Sequence, residues 1–145
     1  MRLEWILLAE GIGNNASGAI TAISINQNVF MAARLPAVTK RAVLVHFVAD
    51  PAEADELSGK EIELSAQVVD PSGHTIVAAT VPGVFPPRLW TDLPGGLDIS
   101  TEIPIRVTSY GTYELRISAR APGQPDVSAT TYLYVREPID LGPSS

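Results

Sequence analysis

Two histidines, no cysteine and sixteen scattered carboxylates are what the sequence offers for acid-base, nucleophilic or metal chemistry. His46 stands inside an alternating apolar run and His74 follows the turn Asp70-Pro71-Ser72-Gly73. A metal ion would need a second imidazole or a carboxylate converging on one of them at ligand spacing, and neither has a second imidazole or an i,i+2 carboxylate of the kind a strand site requires. His46 therefore reads as a strand residue at a sheet face. His74 reads as turn chemistry, with a weak cation site from Asp70, Ser72 and nearby loops as the alternative. Gly11-Ile12-Gly13 is too short for a phosphate cradle and opens no helix. No Gly-x-Ser-x-Gly elbow is present. The acidic pairs Asp55 and Glu56, and Glu61 and Glu63, read as solvated faces, because general acid-base work needs a cleft that shifts their protonation. Asn15-Ala16-Ser17 fits a glycosylation sequon but lacks a secretory context. The expectation is a protein without catalytic residues, metal or cofactor.

Composition narrows the remaining classes. The chain has 145 residues, enough for one domain with a sizeable core. A formal charge of -6 is the wrong sign for a phosphate-neutralising surface, which argues against nucleic acid. Without cysteine there is no disulfide framework, which fits a reducing compartment. The apolar run Leu3–Ala9 is interrupted by Glu4, so it makes neither a signal peptide nor a membrane span, and the expected location is the cytoplasm.

The element that anchors the rest is Tyr110–Arg120. Tyr113, Leu115, Ile117 and Ala119 alternate with Glu114, Arg116, Ser118 and Arg120, the signature of a half-buried strand. Such a face must be covered by a second layer, which points to two packed sheets. An N-terminal strand with Leu3, Trp5, Leu7 and Ala9 on one face ends at a turn over Gly11–Asn15. A second segment runs from Ala19 to Asn26 and continues over Val29–Ala33 past a bend near Gln27. Arg41–Asp50 is apolar on both faces, with Val43, Val45 and Phe47 on one and Leu44, His46 and Val48 on the other. Asp50, Pro51 and Glu53 predict a capped helical turn over Pro51–Leu57. Strands follow with core faces Ile62, Leu64, Ala66, Val68, then His74–Val81, then Leu97 to Val107, and finally Val127 to Val135. Between Val81 and Gly96, four prolines and three glycines surround Phe85 and Trp90, so this segment crosses an end of the sandwich. The expected fold is all-β: a single antiparallel β-sandwich of about eight strands over residues 1–136, with a tail at 137–145.

Gly111-Thr112-Tyr113, followed by the alternating strand, resembles the tyrosine corner of immunoglobulin-like sandwiches. Met1-Arg2-Leu3-Glu4-Trp5-Ile6-Leu7-Leu8-Ala9-Glu10-Gly11, with the Pro-Gly crossover and the Gly-x-Tyr-x-Leu-x-Ile strand, resembles a family of short bacterial β-sandwich proteins to which no activity is assigned. The chain departs from that pattern at Ile25-Asn26-Gln27-Asn28, where the family tends to place glycines, and in the acidic segment Ala52–Leu57. The resemblance thus implies a fold and no ligand.

What remains for function is apolar surface. Tyr132 and Tyr134 share the face opposite Leu133, and Leu44, His46 and Val48 share the face opposite Val45. Contiguous apolar area on a domain of this kind marks contacts, unless loops or the tail cover it. The first functional expectation is a non-enzymatic interaction protein, a self-associating subunit or an accessory component of a larger bacterial assembly. The second, from another class, is a small-ligand or carbohydrate-binding module formed by Phe85, Trp90 and Asp92. For Phe85 and Trp90 the preferred reading is that both are plugs sealing the core.

Overall fold

The computed structural model describes residues 1–14 and 20–140. The sequon Asn15-Ala16-Ser17 and the end of the tail lie outside the described residues. Among the described residues, nine strands and one helix follow in order: β1 Arg2–Asn14, β2 Ile20–Ile25, β3 Val29–Met31, β4 Ala37–Ala49, α1 Pro51–Leu57, β5 Glu61–Val69, β6 Thr75–Val84, β7 Gly95–Val107, β8 Gly111–Arg120 and β9 Val127–Arg136. They form two packed sheets, β2-β1-β4-β7 and β3-β9-β8-β5-β6. All neighbours run antiparallel except β3 and β9, which are parallel over Val29–Met31.

The core forms where the alternation requires it. Val43, Val45 and Phe47 of β4 meet Ile62, Leu64, Ala66 and Val68 of β5 and Tyr113, Leu115 and Ile117 of β8 in one buried cluster. Ile99, Ile103, Ile105 and Val107 of β7 and Leu133 and Val135 of β9 complete it. Each inward Val, Leu, Ile or Phe side chain adds about 1.5–3 kcal/mol of apolar burial, which is how two half-polar sheets hold together.

Tyr113 locks the turn into β8. Its ring is fully buried. Its hydroxyl donates to the Ser109 carbonyl at 2.8 Å and accepts from the Ser109 N–H at 3.3 Å. Gly111 turns the chain at a φ of 139°, with Pro71 close enough to exclude a side chain. At the other end of the sandwich, α1 begins where Asp50, Pro51 and Glu53 place it, and the Asp50 N–H donates to Glu53 at 3.3 Å. Its Ala54 and Leu57 pack into the core beside Phe85. The turn after β5 is built on Asp70, whose carboxylate accepts from the Ser72 hydroxyl, the Ser72 N–H and the His74 N–H. Those bonds, led by the Ser72 hydroxyl, hold the Asp70 carboxyl below its ordinary range.

Three expectations change. The glycines of Gly11–Asn14 lie within β1 and pair with Ile20–Ile23 of β2, so the hairpin connection begins later than the sequence suggests. The register of β1 against β4 shifts between Leu3 and Trp5, leaving Glu4 as an extra residue. That bulge moves Trp5, Leu7 and Ala9 to the outer face while Ile6 and Leu8 turn inward, because one inserted residue reverses a period of two. Finally, the bend near Gln27 carries the chain from one sheet to the other, with Asn26 at a φ of 63°.

Arg41 holds that crossing. Among the described residues it is the buried charged one, and its guanidinium donates to the carbonyls of Gln27 at 2.9 Å and Val29 at 3.2 Å and to the Thr39 hydroxyl at 2.7 Å. The Phe30 ring lies 5.8 Å away. Burial lowers the guanidinium's proton affinity and Glu10 partly restores it. No local sequence signal marks an arginine that faces inward.

Candidate interaction surfaces

The outer face of β2-β1-β4-β7 is built by strand pairing. Leu7 faces Leu44, and Trp5 faces His46, which in turn faces Asp98 of β7. The Trp5 indole stacks on the His46 ring at 5.0 Å. His46 Nδ1 lies 2.6 Å from Asp98, and Nε2 lies 3.3 Å from Glu4. The two carboxylates come from strands far apart in sequence, so spacing along the chain could not have found them. They sit at the two ring nitrogens rather than converging on one point. Among the described residues no group of His, Asp or Glu is arranged to hold a metal ion.

The predicted contact residues Leu44 and Val48 are on this face, but each is only 7% exposed. Leu44 is set against Leu7 of β1, and Val48 lies between Arg2 of β1 and Gly96 of β7. What stands out instead lies at the sheet margin, where Ile23 is 54% and Ile25 49% exposed on β2.

Tyr132 and Tyr134 lie on the outer face of the other sheet with rings 6.3 Å apart. Tyr132 is exposed and Tyr134 is half-covered, with Arg136 5.7 Å from its ring. The neighbouring strand β3 adds exposed Val29 and Met31, with Val29 in register with Tyr134. Asn28 ties this edge to β9, donating to the Tyr132 carbonyl and accepting from the Tyr134 N–H. The result is an aromatic and aliphatic patch on a firmly paired edge.

The crossover after β6 separates the two aromatics that the sequence treats alike. Phe85 is a fully buried plug against Ala54 and Gly95. Trp90 is 61% exposed, contrary to the expectation that it seals the core, and Leu89, Asp92 and Leu93 are exposed beside it. Arg88 explains the difference. Its side chain is buried beneath the loop and forms a paired contact with Asp55 of α1 at 3.0 and 2.8 Å. Its Nη1 donates to the carbonyls of Trp90, Thr91 and Leu93. The guanidinium holds Asp55 below the usual carboxylate range, and Asp55 raises the arginine in return. A charge inside the loop thus takes the place that an apolar anchor would fill, and the apolar residues face outward. A shallow concavity of about 260 Å³ lies between Trp90, Leu93 and Pro86.

Among the described residues no helix is long and apolar enough to cross a membrane. Comparison of the chain with protein-family models and with curated proteins finds no match.

Proposed function

We propose that this chain is a non-enzymatic interaction module, an immunoglobulin-like sandwich that serves in the cytoplasm as a self-associating subunit or as an accessory component of a larger bacterial assembly. The patch formed by Val29, Met31, Tyr132 and Tyr134 carries this reading. Tyrosines and unbranched or branched aliphatics side by side give contact area with few charges to desolvate. The immunoglobulin-like assignment is supported by β1-β4-β7 in one sheet and β5-β8-β9 in the other, the A-B-E and C-F-G arrangement, and by the Tyr113 corner. The bacterial setting rests on the N-terminal resemblance, and the absence of nucleic acid from the reading rests on the net charge. Size-exclusion chromatography with light scattering tests the self-association half. A mass above that of one chain at tens of micromolar is expected, and a strict monomer overturns it.

One observation favours a second reading, a carbohydrate or small-ligand module, and that is the exposure of Trp90. A sugar face stacks on an open indole while a carboxylate such as Asp92 accepts from hydroxyls. In a Trp5→Phe variant, Trp90 becomes the sole fluorophore of its kind. Emission typical of exposed indole, together with protection from acrylamide by a glycan, is the expected result. Emission that no saccharide in a panel alters removes this reading.

A further inference from the structure

We propose that β2 is the strand through which two copies join, edge to edge and antiparallel about a two-fold axis, so that two four-stranded sheets become one of eight. The proposal rests on the self-association reading and assigns the contact between copies to an edge distinct from the Tyr132 and Tyr134 patch. It follows from a comparison of the four sheet edges. β7 is blunted by Asp98, Glu102 and Arg106 and by Pro104. β6 contains Pro82. β3 is only three residues long. Each is an ordinary device against strand addition. β2 has six residues with neither proline nor charge, and its outward Ile23 and Ile25 are about half exposed.

Two further observations identify the occupant. From Gly11 to Ala33 the sequence contains no Asp, Glu, Lys, Arg or His, so all ten cations and sixteen anions lie elsewhere. Copies that each carry a net charge of -6 repel wherever their charged surfaces meet, and this edge is where they approach without that penalty. β2 itself offers a basic or acidic partner no charge to steer it, the adjacent Glu10 belonging to β1, whereas a two-fold pairing sets uncharged, β-branched strand against its own copy. The second observation is the shape of the edge. β1 pairs with β4 only as far as Ala9, yet its ladder with β2 continues through Asn14. Gly11–Asn14 and Ile20–Ile23 therefore form a two-stranded ribbon that runs beyond the third strand. Such ribbons are marginal in water until another strand joins them. Ser24, at a φ of 53°, ends the extended stretch, so Ile20–Ile23 supplies the new ladder.

The chain has no cysteine, so single introduced thiols report the contact directly. Thr21→Cys, Ala22→Cys and Ile23→Cys are each treated with a short bis-maleimide and compared with Thr80→Cys on β6, while light scattering follows the parent chain and Thr21→Lys. Thr21 is exposed, and circular dichroism verifies that the lysine variant is folded. The expected result is a dimer that cross-links through at least one β2 position far above the β6 control and that weakens about tenfold or more with Thr21→Lys. A dimer that neither cross-links through β2 nor responds to the lysine overturns this inference and leaves the interaction reading standing, with the Tyr132 and Tyr134 patch as its surface. A monomer overturns this inference together with the self-association half of the reading.

Discussion

Replacing Tyr113 by Phe removes one oxygen from the largest fully buried side chain among the described residues and leaves its ring in place. The lost interaction is specific: a hydroxyl donating to the Ser109 carbonyl at 2.8 Å and accepting from the N–H of the same residue. A buried carbonyl left without a partner costs up to about 3 kcal/mol, but Ser109 is an exposed residue and its bond to Tyr113 is only partly buried, so the net loss should be near 1 kcal/mol. The ring's contacts with the core persist, which separates this change from Tyr113→Ala, where an aromatic truncation costs about 3–5 kcal/mol. With an unfolding entropy of about 2 cal/mol/K per residue over a chain of this length, 1 kcal/mol lowers Tm by about 3 °C. Calorimetry or circular dichroism melts, paired with urea titrations in which m stays constant, provide the measurement. An unchanged Tm, or a loss as large as that of the alanine variant, would refute the view that the hydroxyl bonds stabilise the corner separately from the packed ring.

The crossover gives three further expectations. Phe85→Ala should cost about 3–5 kcal/mol, while Trp90→Ala stays within about 0.5 kcal/mol, since one side chain fills the core and the other stands in solvent; equal losses in urea titrations would contradict the assigned positions. Gly95→Ala places a methyl carbon 2.5 Å from Ala54 Cβ and 2.9 Å from the Phe85 ring, and should destabilise by about 1–3 kcal/mol of overpacking. A neutral outcome would mean that α1 is free to move away from β7. The Asp55 carboxyl is held low by Arg88, so its stabilising effect is present above the ordinary aspartate range near pH 4 and is lost as the pH falls through the lowered value. The Tm gap between the parent and Asp55→Asn should therefore close on acidification, and a gap that widens instead would reverse the assigned sign.

Much of the architecture could be read from side-chain alternation because the strands that carry it are regular. Tyr113 to Ala119 and Ile62 to Val68 each keep a strict period of two, and both line the core. The helix start at Asp50 and the turn at Asp70 were legible because capping and turn chemistry are local. The surfaces were harder to read because they depend on departures from regularity. A bulge at Glu4 reverses the faces of β1, and nothing in the residue type announces it. The sheet change after β2 uses left-handed conformations at Ser24 and Asn26 rather than at glycines. His46 acquires its carboxylates from β1 and β7, and Trp90 is outside because Arg88 occupies the interior of its loop. These arrangements are long-range, so the pattern along the chain carries no trace of them.

The way Arg88 is used has a consequence for anything that meets the crossover. Its directed donors are engaged with the chain's own carbonyls and with Asp55, so the cation acts as scaffolding and offers no attraction to an incoming anion. The ordering cost of the loop is met during folding rather than on contact, which favours a guest that matches a preset outline over one that must mould it. With Asp92 as the open charge beside Trp90, the tip would discriminate against phosphates and carboxylates and admit neutral, flat or hydroxylated faces.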